Sequence, residues 1–66
     1  MPYVHIRITP EGVTRDRKER LIRGVTELLV GTLDKDPATT FVVIEEVSTD
    51  DWGVGGQSVS ARRAGR

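Results

Sequence analysis

The chain predicts an α+β fold: a short β-α-β unit with parallel strands, then a C-terminal turn or hairpin, with its sheets packed in an oligomer. Three observations carry this. Residues 2–9 alternate Val4, Ile6 and Ile8 with Tyr3, His5, Arg7 and Thr9, the period of two that marks a half-covered strand. Leu21, Ile22, Val25, Leu28 and Leu29 then recur at helical spacing. A second run, Thr39-Thr40-Phe41-Val42-Val43-Ile44-Glu45-Glu46-Val47, is rich in β-branched and aromatic residues.

The first strand starts at Pro2, where a proline is tolerated because the first residue need not donate to the ladder, and Pro10-Glu11-Gly12 ends it. Thr14 is the N-cap of an amphipathic helix over roughly residues 15–33, with Asp16 at the positive end of its dipole. Arg15, Arg17, Lys18, Glu19, Arg20 and Arg23 form its solvated face, with Glu19 and Arg23 paired across one turn. Gly24 and Gly31 each weaken the helix by roughly 1 kcal/mol relative to alanine, so close packing there is the expected compensation.

Asp34-Lys35-Asp36-Pro37 breaks the helix. In the second strand Val42 and Ile44 form one face, yet Phe41, Val43 and Val47 make the other apolar as well. A strand apolar on both sides is covered on both sides, and one crossover helix covers only one of them. The second face therefore calls for another subunit. Trp52-Gly53-Val54-Gly55-Gly56 reads as a tight turn or short hairpin, Ser58-Val59-Ser60 as a small edge strand, and residues 61–66 as a basic tail.

Size leads to the same place. Sixty-six residues make a single domain, 1–66, with too little buried surface to be comfortable alone. There is no cysteine for a disulfide, and the lone His5 has no cluster for a metal, so oligomerisation remains. No stretch approaches the roughly 20 apolar residues of a membrane span and no leader pattern precedes the first strand, so a soluble, cytoplasmic protein is expected. Ten basic residues balance ten acidic ones, which argues against a nucleic-acid partner.

Several chemistries are excluded. Gly53-Val54-Gly55-Gly56 does not join a strand to a helix as a phosphate-cradling loop must. Cysteine catalysis is impossible, Ser58 and Ser60 have no triad partner beyond a strand histidine, and Glu45 and Glu46 point to opposite faces. Pro2 is different. It follows Met1 and is small enough for the initiator methionine to be trimmed, which would turn an inert tertiary amide into a free secondary amine. An α-amino group titrates near neutrality, and desolvation favours its neutral, basic form.

Pro2, the β-α-β order in so short a chain, the Lys18-Glu19-x-Leu21-Ile22-Arg23 helix core and the Trp52-Gly53-x-Gly55-Gly56 segment together resemble the 4-oxalocrotonate tautomerase family, over nearly the whole chain from Pro2 to about Arg63. The resemblance implies an amino-terminal proline, here Pro2, acting as general base and then acid on an enol or 2-keto acid, without a cofactor. It also implies homohexamers built as trimers of dimers, with active sites shared between subunits.

The family's two substrate-binding arginines are absent: their positions correspond to Val13 and Phe41. Losing charge-assisted contacts disfavours a muconate-type diacid. Arg15, or Arg62 and Arg63 in the tail, are available replacements, and equally they are ordinary solvated arginines. Trp52 and Val54 match the family's apolar lining, and Tyr3 and Thr9 align with other site-lining positions. Valine at 54 cannot activate water, unlike the carboxylate of hydrating or dehalogenating members. The rival reading is a weakly active or inactive member serving as a structural or ligand-binding oligomer.

Overall fold

The computed structural model describes residues 1–65, so Arg66 of the expected tail lies outside the described residues. Strand β1 spans Tyr3–Ile8, helix α1 Arg15–Leu33, strand β2 Phe41–Glu46, strands β3 and β4 Gly53–Val54 and Gln57–Ser58, and helix α2 Val59–Arg63. Short 3-10 turns at Pro37–Thr39 and Thr49–Asp51 flank β2. β1 and β2 pair in parallel, from Tyr3 opposite Phe41 to Ile8 opposite Glu46, and β3 and β4 form an antiparallel hairpin. This is the α+β architecture that the hydrophobic periods predict.

Local chemistry sets each boundary. Thr14 is extended, and its Oγ1 accepts the Arg17 N–H at 3.2 Å, satisfying one of the free donors at the start of α1. At the other end Asp34 adopts the left-handed conformation (φ 55°), and its N–H reaches the Val30 carbonyl at 3.0 Å. Asp36 then caps the Pro37 turn by accepting the Ala38 N–H at 2.9 Å, which delays β2 to Phe41 rather than Thr39. The hairpin turns on Gly55 and Gly56, whose φ values of 61° and 85° are the positive pair that a two-residue hairpin loop requires.

Four expectations are corrected within the single chain. Of the strand expected over Ser58-Val59-Ser60, only Ser58 is extended, because its Oγ accepts the Ala61 N–H at 3.0 Å and starts α2. Lys18 does not belong to the solvated face: its Nζ lies 2.7 Å from Glu46 Oε2, tying α1 to the covered side of β2, whereas Glu19 makes no ion pair with Arg23 among the described residues. Neither Gly24 nor Gly31 is closely packed within the chain, since a Cβ added at either would meet nothing within 4 Å.

Val4, Ile6, Ile8, Val42 and Ile44 are half-buried on the α1 side, while Tyr3, Phe41 and Val43 stay 63%, 50% and 43% exposed on the open side. Among the described residues none is fully buried. The chain is also stretched, with a radius of gyration of 15.3 Å, against about 11 Å for a compact domain of this length. The fold therefore has two faces and one cover, as the doubly apolar β2 implies. No helix among the described residues is long and apolar enough to cross a membrane.

Candidate functional site

Pro2 stands at the entrance of the parallel sheet. It is half-buried, and its carbonyl accepts the Phe41 N–H at 3.0 Å, so the start of β2 pins it beside Tyr3 and Phe41. The Tyr3 and His5 rings lie tilted with centroids 6.2 Å apart. Further along the open face, Glu45 Oε1 accepts from both His5 Nε2 and Arg7 Nε, each at 3.0 Å. Glu45 and Glu46 thus serve opposite faces, as the strand period requires.

The remaining expected site residues gather at the other end of β1. Thr9 is seven residues beyond Pro2, a span of roughly 23 Å along a strand. There the Thr9 hydroxyl and the Arg63 guanidinium both donate to the Glu11 carboxylate, joining α2 to the β1–α1 loop. Trp52 lines a shallow cleft with Arg7, Val47, Asp51 and Gly53. Its carbonyl accepts the Val59 N–H at 2.8 Å and so closes the base of the hairpin that carries the exposed Val54. Arg15 is the exposed first residue of α1. One chain therefore brings together Pro2, Tyr3 and Phe41, and separately Thr9 and Arg63, but does not join the two groups.

Two residues at the loop carry no sequence signal of their role. Glu11 neutralises Arg63 from 52 positions away, a contact that local spacing cannot reveal. Arg17, expected in solvent, turns back so that its Nη1 donates to the Gly12 carbonyl at 2.7 Å. The hydroxyls of Ser58 and Ser60 are occupied in capping α2 and in a 2.6 Å bond to Thr49, so they are structural. No group of three or more metal-ligating side chains forms among the described residues.

The Thr9 hydroxyl, followed by Arg63, holds the Glu11 carboxyl below the usual carboxylate range. A folded-state pKa below the unfolded value contributes stability above the ordinary glutamate pKa, and that contribution is lost as pH falls through the lowered one. Both partners are well exposed, so the effect is local. Glu11→Gln is expected to accelerate amide exchange at Ala61 and Ala64 a few-fold at pH 7. Acidification well below pH 4 should lower the protection factors of the same amides, measured against their intrinsic exchange rates, in wild type and leave those of the variant unchanged. Identical exchange in the two proteins at pH 7 would show that the contact does not hold α2.

Comparison with known proteins fits this geometry. The model of the "Tautomerase enzyme" family matches residues 2–62. "Probable tautomerase K2" of Dickeya dadantii is 64% identical over 63 residues, covering 96% of this chain and 94% of its own. The crystal structure of DmpI from Helicobacter pylori superposes with a TM-score of 0.87 at 40% identity, covering 91% of this chain and 98% of that one. A heterohexamer 4-oxalocrotonate tautomerase from Chloroflexus aurantiacus gives 0.81 at 28% identity, covering 91% and 95%. With Pro2 at the mouth of a parallel β-α-β sheet and the matches spanning nearly its whole length, the chain belongs to the tautomerase family.

Proposed function

We propose that the protein is a cofactor-free keto-enol tautomerase that uses Pro2 as general base and then general acid on a small enol or 2-keto acid. The observation that carries this reading is the place of Pro2: half-buried at the head of β1, fixed by Phe41, in a chain of this family. In a chain that starts at Pro2 the nitrogen is a secondary amine, and partial burial favours its neutral form near pH 7. The amine takes the enol hydroxyl proton as the carbonyl forms. The same proton is then returned to the carbon that gains the double-bond electrons, leaving the amine neutral.

The two groups of expected site residues at opposite ends of β1 meet only if different copies contribute them, so the working form is an assembly, a homohexamer on this reading. In it Tyr3, Thr9, Phe41, Trp52 and Val54 line the site and exclude water. Val13 and Phe41 are apolar and Arg63 is neutralised by Glu11, which favours one carboxylate on the substrate over two.

The test compares processed wild type with Pro2→Ala on phenylenolpyruvate. A loss of roughly tenfold or more, about 1.4 kcal/mol in barrier, is expected, and equal rates would remove Pro2 from the mechanism. Wild type should also show a higher kcat/KM on phenylenolpyruvate than on 2-hydroxymuconate, and a clear preference for the diacid would contradict the single-carboxylate reading. No turnover of either enol would leave the structural or ligand-binding oligomer.

A further inference from the structure

A cleft opens between the β1–α1 loop and the first turns of α1, lined by Gly12, Val13, Arg17, Arg20 and Leu21. Its lining includes two arginines and no acidic residue. Glu11, the acid nearest to it in the loop, is already held by Thr9 and Arg63, so it does not cancel the charge. Its floor is apolar, from half-buried Val13 and partly exposed Leu21.

We propose that this cleft binds the carboxylate end of a small organic acid, with Arg17 and Arg20 gripping the head group and Val13 and Leu21 packing against a hydrocarbon or aromatic body. Arg17 is ordered in advance: its bond to the Gly12 carbonyl uses one of the five N–H donors of a guanidinium and leaves others for an anion. Gly12 is part of that seat. It sits at φ 67°, and a Cβ there would come within 3.0 Å of Arg17 Nη1. Arg20 has no partner among the described residues, so a carboxylate would be its first. The positive end of the α1 dipole lies at the same loop and adds to the attraction. An ammonium pair would fix only charge, whereas planar guanidiniums also fix orientation. The combination selects an amphipathic monoacid over a bare anion.

The proposal rests on the tautomerase reading for the identity of the acid, since the cleft would then hold the substrate's carboxylate. Titration of the assembled protein with phenylpyruvate, the keto partner of phenylenolpyruvate, followed at the Gly12 and Val13 amides and the arginine side-chain N–H signals by NMR, reads binding by a signal separate from activity. Those signals are expected to shift. Arg20→Gln, at an exposed and unpartnered position, should weaken the dissociation constant about tenfold and raise KM for phenylenolpyruvate more than it lowers kcat. Arg20→Lys should recover part of the binding. Arg17→Gln should weaken binding at least as much, with the melting temperature measured to separate loop loosening from lost contact.

Unchanged dissociation constants and KM in both glutamine variants would overturn the proposal, and inorganic phosphate binding as tightly as phenylpyruvate would overturn its amphipathic class. Shifts at Gly12 and Val13 in a protein that turns over no enol would keep the cleft and sink the tautomerase reading. Turnover with those signals unmoved by phenylpyruvate would do the reverse.

Discussion

Val43→Asp is expected to convert an assembled protein into a dissociated and largely unfolded one at micromolar concentration. Val43 lies on the open face of the sheet with Phe41 and Tyr3, all substantially exposed in the single chain, and no described residue is fully buried. Covering a large apolar side chain is worth about 1.5–3 kcal/mol, so covering three of them adds roughly 5–9 kcal/mol to every copy. A carboxylate placed among them brings an unpaired charge into the contact, at a cost of several kcal/mol. Wild type should sediment as an oligomer and melt at a temperature that rises with protein concentration. A matched charge change at Glu27, exposed on α1, should leave both properties alone. A compact wild-type monomer at micromolar concentration would defeat the argument.

Retention of Met1 should abolish turnover while leaving assembly intact. With Met1 in place the Pro2 nitrogen is a tertiary amide, which has no lone pair to accept a proton at neutral pH, whereas general base catalysis is typically worth 10²–10⁴-fold. Separating processed from unprocessed protein by mass and assaying each on phenylenolpyruvate should therefore show a difference of roughly a hundredfold or more. Because Met1 is exposed and packs on nothing that orders the sheet, both forms should sediment alike. Equal turnover by the two forms would exclude Pro2 as the base, whatever Pro2→Ala shows.

Much of the backbone was legible because its signals are local. The Thr14 cap and the Leu21-to-Leu29 spacing give the Arg15–Leu33 helix, and the alternation of residues 2–9 gives β1. Where a side chain competes for backbone groups, the pattern misleads. Asp36 capping the Pro37 turn shortened β2, and Ser58 capping α2 turned an expected strand into a helix. The place of Pro2 at a strand head was readable from its neighbours. The meeting of Arg63 with Thr9 and Glu11 was not, because it depends on where the chain returns after β2. The partners of Lys18, Glu11 and Arg17 escaped for a related reason: long flexible side chains choose among groups that only tertiary structure brings near.

The uncovered sheet also bears on how the protein comes into being. A newly synthesised copy can pair β1 with β2 and lay α1 across one side, but none of the described residues seals the other side, so its last folding step is a collision with another copy. Maturation is then second order: halving the concentration of waiting copies lowers the rate of successful encounters about fourfold, and each waiting copy presents Tyr3, Phe41 and Val43 to proteases and chaperones in the interval. Active protein would accumulate more steeply than its messenger, and a second tautomerase chain made in the same cell could meet these waiting copies before their own kind do.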